Sequence, residues 1–516
     1  MKTILASFGL HDLDRSVGGT LCAYVERERF ADIVTILANT HKLPLALLYA
    51  TDDRKKNGTY GVHAVFSVVS SEWFLISTSL PSQDPRYPSV TRTVMAAHWY
   101  ERYAMDMFGI IAEGRPDPRR LVLHENMPEG THPLRKDFAW NARLPCANVE
   151  YPMHHVEGEG IYEIPVGPIH AGIIEPGHFR FNVAGERIIT LEGKLFFTHK
   201  GCEKLLEGKD AASALPFIER ISGDSAASHA LAFCQAVESI AGCKVPQRAC
   251  DIRTLLCELE RMTMHIFDIG NIIGNGIGYT VLAAHGFRLK EDMMRLSHLV
   301  CGNRFWRGMI IPGGCFRDLD NHALHAIRST VDTMYTDATR LFQMAVSSDA
   351  VRERLETTGI LSVDAALAYG AVGPAARASG IDRDVRRDHP YASYVRCPVK
   401  VCVQTSGDVY ARLLVRSGEL ATSVTIIHHL LDSLSSGAVL IPCSPTTGAA
   451  LSAVESWRGE LIDVIHMKDG IIDRCVIRDP SFCNWPLFGE IGPGNIVPDF
   501  PLCNKSLNLS YSGTDL

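Results

Sequence analysis

The sequence predicts an α+β protein in two unequal parts. A small N-terminal α/β domain spans residues 1–138, a linker covers 139–156, and a large, mainly helical domain with a β-rich entry runs from 157 to 516. Three observations predict this. A length of 516 residues exceeds what one hydrophobic core organises. The first part mixes a helical apolar period with strand-length runs of β-branched and aromatic residues. In the second part, strand-like pieces sit at the entry and near the end, with long helical stripes between them.

Along the chain, "CAYVERERFADIVTILANTHK" spaces its apolar residues as one face of a helix, and "LPLALLYATD" is a short apolar strand. "GVHAVFSVVSSEWFLISTSL" supplies further strands, and "YPSVTRTVMAAHWYERYAMDMFGI" ends in a helix that Gly109 should stop. "RPDPRRLVLHENMPEGTHPLRKDF" is rich in proline and charge and reads as a docking arm. The second part opens with the strand-like "GIYEIPVGPIHAGIIEPGHFRFNVAGERIITLEGKLFF". In "DIRTLLCELERMTMHIFDIG", Ile252, Leu255, Leu256, Leu259, Met262 and Ile266 form one helical stripe. "GDVYARLLVRSGELATSVTIIHHLLDSL" reads as a long amphipathic helix. "WRGELIDVIHMKDGIIDRCVIRDPSFCNWPLF" returns to strand and turns at Asp479-Pro480.

Composition narrows the function. A net charge of −7 does not suit a general nucleic-acid binder. No apolar run is long enough to span a bilayer, so membrane association is expected only through partners. The N-terminus lacks the pattern of a signal peptide. The 15 cysteines are scattered with no CxxC, which disfavours zinc ribbons, cluster ligation and thioredoxin chemistry. No GxGxxG or Walker lysine is present, and the Gly-rich "RFWRGMIIPGG" reads as a turn between helices.

Longer motifs carry a resemblance. "YPSVTRTVMAAHWYERYAMDMFGI" and "LRKDF" resemble the 30-kDa subunit of respiratory complex I. "VGPIHAGIIEPGHFRF", "FFTHKGCEKL", "LLCELERMTMHIFDIGNI", "RFWRGMIIPGG", "GPAARASGIDRDVRRDHPY" and "GDVYARLLVR" resemble the 49-kDa subunit. They look closer still to the large subunit of formate hydrogenlyase and related energy-converting nickel–iron hydrogenases. The resemblance implies a fused 30-kDa-like and 49-kDa-like chain.

In those hydrogenases two cysteine pairs hold nickel and iron, because thiolates are soft, anionic and able to bridge metals. Aligned by motif, "RISGDS" places Ser222 and Ser225 at the first pair, and "DPSFCN" places Ser481 and Asn484 at the second. Neither a hydroxyl nor a carboxamide replaces a bridging thiolate, so no metal is expected here. In complex I a His and a Tyr bracket the quinone head. Their positions fall near Ile174 and at Gly223, so that constellation is missing as well.

The polar groups left at this place are Glu175, flanked by His170 and His178, and Asp224. The resemblance implies that a Glu matching Glu175 hands on protons. An apolar setting would raise its pKa, and an Asp224 converging on the same cavity would raise it further. Read without the resemblance, the same residues are a structural hairpin bonding its own backbone. Glu203, on the "HKGCEKL" helix, is the control, where a Gln substitution is expected to be nearly silent. Arg253, Glu258, Glu260 and Arg261 are expected to form interhelical ion pairs.

Three functions stay open: an oxidoreductase subunit using a quinone or another acceptor, a non-catalytic structural and coupling subunit, and a hydrogenase with unusual ligands. The resemblance implies an iron–sulfur small subunit, a ferredoxin-like subunit, a membrane subunit like the complex I heel protein, and antiporter-like subunits. It also implies proton translocation, a peripheral place on the cytoplasmic face of the inner membrane, and iron–sulfur clusters carried by the partners.

Overall fold

The structure is a computed structural model that describes residue 8 and residues 13–68, 72–146, 149–170 and 175–516. Near the N-terminus a four-stranded sheet has the order β2-β5-β4-β3, formed by β2 (Thr20–Tyr24), β3 (Leu45–Asp53), β4 (Thr59–Val68) and β5 (Glu72–Pro81). Helix α1 (Arg27–Thr35) buries Phe30, Ile33 and Val34, the apolar face read from its spacing. Helix α2 (His98–Phe108) stops where predicted, because Gly109 takes the left-handed φ of 74° that closes the last turn.

The arm at 115–138 docks on its own chain. Asp106 of α2 accepts the backbone N–H groups of Leu121, Val122 and Leu123 at 2.8–3.1 Å. Lys136 then reaches Glu207 at 3.0 Å and the Asp473 carbonyl, so the arm straps the first part to the second.

A three-stranded sheet of β6 (Ile161–Val166), β7 (His178–Ala184) and β8 (Arg187–Lys194) opens the second part. The long helices follow: α3 (Ala226–Ala241), α4 (Gln247–Asn271), α5 (Thr280–Cys301), α6 (Asn321–Val346) and α7 (Val409–Asp432). "RFWRGMIIPGG" is a turn as read, with a minimal ladder between β9 (Ile310–Ile311) and β10 (Gly314–Cys315). Strands β11 (Gly448–Ser456), β12 (Gly459–Lys468) and β13 (Ile471–Arg478) form an antiparallel ribbon near the end. Its outer neighbour comes from the far end of the chain: β1 (Val17–Gly18) runs parallel to β11. Two residues carry no periodicity, so the sequence could not reveal this pairing.

The predicted stripe of α4 is buried throughout, but so is most of the rest of the helix, including Arg253, Glu258, Glu260 and Arg261. Helix α7, read as amphipathic, also buries Arg412, Arg416 and Glu419. Both helices run through the core, and their charges are offset by partners rather than by water. Helices α4 and α5 cross closely at Gly270 and Gly286, where a Cβ on Gly270 would come within 2.9 Å of the Gly286 Cα.

Candidate functional site

Three of the four residues read at ligand positions, Ser222, Ser225 and Ser481, meet in one polar cluster around an arginine. Ser222 and Ser225 lie in the turn before α3, both buried. Between them Asp224 receives Arg458 in a two-pronged pair, Nη1 to Oδ1 at 2.8 Å and Nη2 to Oδ2 at 2.7 Å. Arg458 sits in the turn between β11 and β12. It stacks 3.9 Å from the Trp457 ring centre and donates through Nε to the Asn508 carbonyl at 2.6 Å. Gly373 passes directly behind it with φ +67°, and a Cβ there would collide with the Arg458 carbonyl. The Ser222 hydroxyl donates to Asp224 at 2.8 Å and shares a hydrogen bond of 2.9 Å with Ser510.

Residues 508–516 form the other wall. The Ser510 N–H donates to the Ser481 hydroxyl at 3.0 Å, and Ser510 caps a short helix, Tyr511–Asp515. Ser510 and Ser512 hydroxyls lie 3.5 Å apart, and the Ser512 N–H donates to Glu175 at 2.9 Å. The segment is anchored beyond the cluster: Asp515 accepts the N–H groups of Phe196 and Thr198, and the Leu516 carbonyl accepts those of Lys200 and Cys202. Sequence reading missed these residues. The one available signal was the density of short polar side chains in "NLSYSGTDL".

Asp479 caps the turn carrying Ser481 and pairs with His229 at 3.2 Å. Asn484 stands outside the cluster, exchanging both amide hydrogen bonds with the Val372 backbone at 3.1 Å.

The four proton-relay candidates divide. Glu175 and His170 both face residues 511–512, His170 lying 3.4 Å from the Tyr511 hydroxyl. Asp224 connects to the same segment through Ser222, whose hydroxyl meets Ser510. His178 bonds the Gly167 carbonyl at 3.2 Å and lines a separate cleft of about 400 Å³ with Arg180 and Lys194. Ile174 lies outside the described residues, and Gly223 is exposed.

The electrostatics differ from the expectation for Asp224. Burial pushes its carboxyl upward, but the Arg458 guanidinium outweighs burial and holds it at about 2. The like-charge pair expected of Asp224 and Glu175 is therefore replaced by an ion pair. Glu203 also departs from its reading. It is buried, accepting the Tyr103 hydroxyl at 2.6 Å and pairing with Arg474 at 3.1 Å.

One carboxyl poised near neutrality is Glu260, which accepts the Ala227 and Ser228 N–H groups at 2.7 and 3.1 Å at the start of α3. Burial, aided by nearby Asp224, raises it from 4.5 to about 7 despite these bonds. A raised carboxyl stabilises the fold fully below its ordinary value, and that contribution is lost as pH rises through about 7. Unfolding by denaturant at pH 5 and pH 8 should show Glu260→Gln losing roughly 3 kcal/mol less than the parent over this interval.

Behind the cluster, Arg377, Arg386 and Arg261 interleave with Glu419, Glu455, Asp384 and Glu258, all buried. Arg377 bonds Glu419 and Glu455, each at 2.8 Å, and Glu419 bonds His265 at 2.8 Å. Arg386 grips Asp384 at 2.7–3.0 Å and reaches Glu258 at 3.1 Å. Glu258 and Arg261 thus form the interhelical pairs expected of them, Arg261 reaching Glu419 at 3.7 Å, whereas Glu260 departs from that expectation and accepts backbone N–H groups and the Ser228 hydroxyl. Arg253 pairs separately with Glu238.

No group of three or more His, Cys, Asp or Glu is placed to hold a metal ion among the described residues. No helix among them is long and apolar enough to cross a membrane.

Three family profiles match the chain. "Respiratory-chain NADH dehydrogenase, 30 Kd subunit" covers residues 23–143, "Nickel-dependent hydrogenase" 200–269, and "Respiratory-chain NADH dehydrogenase, 49 Kd subunit" 276–445. Hydrogenase-4 component G of Escherichia coli (strain K12) is 33% identical, over 98% of this chain and 89% of its own length. Formate hydrogenlyase subunit 5 of the same strain is 34% identical over 91% and 84%. The fused C/D polypeptide of NADH-quinone oxidoreductase from Bacteroides fragilis (strain YCH46) is 28% identical over 78% and 81%.

Proposed function

We propose, for a chain that belongs to the family of Hydrogenase-4 component G and Formate hydrogenlyase subunit 5, the role of large subunit in a membrane-associated oxidoreductase complex that works without nickel–iron. The observation that carries this reading is the polar cluster. Thiolates would be needed at residues 222, 225, 481 and 484, where the chain has three hydroxyls and a carboxamide. Ser222, Ser481 and Asn484 are engaged with Asp224, Ser510 and Val372. Arg458 adds a positive charge at the same place. These residues do not fit a nickel–iron group, and no step is derived through one.

The chain then receives electrons from an iron–sulfur small subunit and passes them to a quinone or another acceptor. A ferredoxin-like subunit, a heel-like membrane subunit and antiporter-like subunits complete the complex, which couples turnover to proton translocation. The chain sits peripherally on the cytoplasmic face of the membrane and contacts it only through those partners.

The chain's own contribution is to hold and move protons. Serine hydroxyls both donate and accept, so Ser222, Ser510 and Ser512 form a run between Asp224 and the segment that binds Glu175. Glu175 is the group that takes up a proton when an electron arrives. Glu175→Gln keeps the shape and removes the proton-carrying carboxyl. In the purified complex it should lower acceptor-reducing activity at least about tenfold, about 1.4 kcal/mol in barrier, with assembly of the complex unchanged. Equal turnover of variant and parent between about pH 6 and 8, the range in which such a relay has to operate, would reject the relay.

One observation favours a second reading, a structural and coupling role without turnover: Arg458 and Ser510 satisfy the polar groups of the cluster internally. A purified complex that reduces no quinone would select it. Stoichiometric nickel would overturn both readings.

A further inference from the structure

We propose that Cys243 and Cys443 form a reversible disulfide that fastens the C-terminal end of α3 to the segment entering β11. Both cysteines are free thiols and half-buried, within reach of a small reagent but supported by the fold. The Cys243 sulfur lies 3.9 Å from the Pro442 carbonyl, the peptide group immediately before Cys443. The two residues are 200 positions apart in sequence, so tertiary structure alone brings them together.

Backbone contacts hold both sides in place. Gly242 ends α3 with φ 62°, and the Cys243 N–H returns to the Glu238 carbonyl at 2.9 Å. Opposite, the Ile441 N–H donates to the Gly313 carbonyl at 3.1 Å, and the Cys315 N–H to the Val439 carbonyl at 2.7 Å. Gly313 packs so closely that a Cβ there would lie 3.2 Å from the Cys443 Cβ. Glu238 ties the regions together, bonding Arg253 of α4 and the Gly313 N–H.

The chemistry assigns an order. Burial, and then the neighbouring Cys243 sulfur, raises the Cys443 thiol to about 12. A thiol raised this far is a poor first nucleophile near neutral pH, so the attack is assigned to Cys243. With a low-molecular-weight disulfide as oxidant, the Cys243 thiolate attacks one sulfur and releases the first small thiol. The Cys443 sulfur, losing its proton, attacks Cys243 in the mixed disulfide and releases the second. Two S–H bonds are lost and one S–S bond forms. The oxidant gains two electrons and two protons as two thiols. Oxidation would pin the end of α3 opposite the Ser222–Ser225 turn, placing that helix under redox control.

The test treats the full-length folded protein with oxidised glutathione, quenches free thiols by alkylation and maps peptides by mass. The expected result is a Cys243–Cys443 cross-linked peptide that dithiothreitol removes. Cys443→Ser should accumulate glutathione at Cys243 instead, because nothing resolves the mixed disulfide. A parent protein that keeps glutathione on Cys243 without the cross-link, or reacts at neither cysteine, would overturn the proposal. The parent result decides the matter even if a variant fails to fold.

Discussion

Arg377→Met should cost stability at the upper end of about 3–5 kcal/mol, the range for breaking a buried ion pair from one side. The buried cluster has four carboxylates, Glu258, Asp384, Glu419 and Glu455, against three guanidiniums, Arg261, Arg377 and Arg386. The imbalance already shows at Glu455, which burial first and Asp384 second raise to about 7. Methionine would fill much of the volume of Arg377 and leave four acids facing two cations. Glu419 would lose bonds of 2.7 and 2.8 Å, and Glu455 one of 2.8 Å. Arg377→Lys should recover part of the loss, since a point charge cannot serve both carboxylates in the plane a guanidinium offers. Denaturant unfolding checks the order parent, Lys, Met. A Met variant as stable as the parent would show that the cluster is offset by protonation and not by Arg377.

Arg458→Met should cost about 3 kcal/mol, the lower end of that range, because the Asp224 side chain left unpaired is 32% exposed, and here a second substitution separates the causes. Asp224 would keep the Ser222 hydroxyl bond at 2.8 Å and a long one from Ser225 at 3.5 Å, and would lose the charge that holds it near 2. Adding Asp224→Asn removes the orphaned carboxylate, so the double variant should recover more than half of the loss. A double-mutant cycle reads this as coupling between the two side chains. The pH dependence has a definite sign. A depressed carboxyl contributes stability above its ordinary value and loses it as pH falls through the folded value. The gap between parent and Arg458→Met should therefore narrow from about pH 4 downward. A double variant no better than the single one would mean that Arg458 acts through Trp457 and Asn508, not through Asp224.

Much of the fold was legible because it rests on local patterns. The stripe from Ile252 to Ile266 marks α4, Gly109 ends α2, and Asp479-Pro480 fixes the register of Ser481 and Asn484. Ser222, Ser225 and Ser481, which the structure brings together, were picked out by the same short motifs. What could not be read depends on distant partners. Arg458 lies in a turn, where nothing in "SWRGEL" indicates that it will meet Asp224 more than 200 residues earlier. Glu203 looked peripheral because its partners, Tyr103 and Arg474, come from a helix in the first part and a strand near the end. The two long core helices were half-legible: periodicity found their apolar faces, but paired charges look polar in a sequence even when no water reaches them.

The strand Val17–Gly18 alters what the covalent fusion of the two parts contributes. It is hydrogen-bonded into the sheet of residues 448–478, and Tyr49 and His466 meet ring to ring at 6.3 Å across the same junction. Lys136 holds a third point. The parts therefore share an interface that does not depend on the linker. The linker supplies equal copy number and a high effective concentration of each part for the other. A tether relieved of alignment is free to vary in length and composition, and the exposed run around Trp140 is where such a chain can change without disturbing the site.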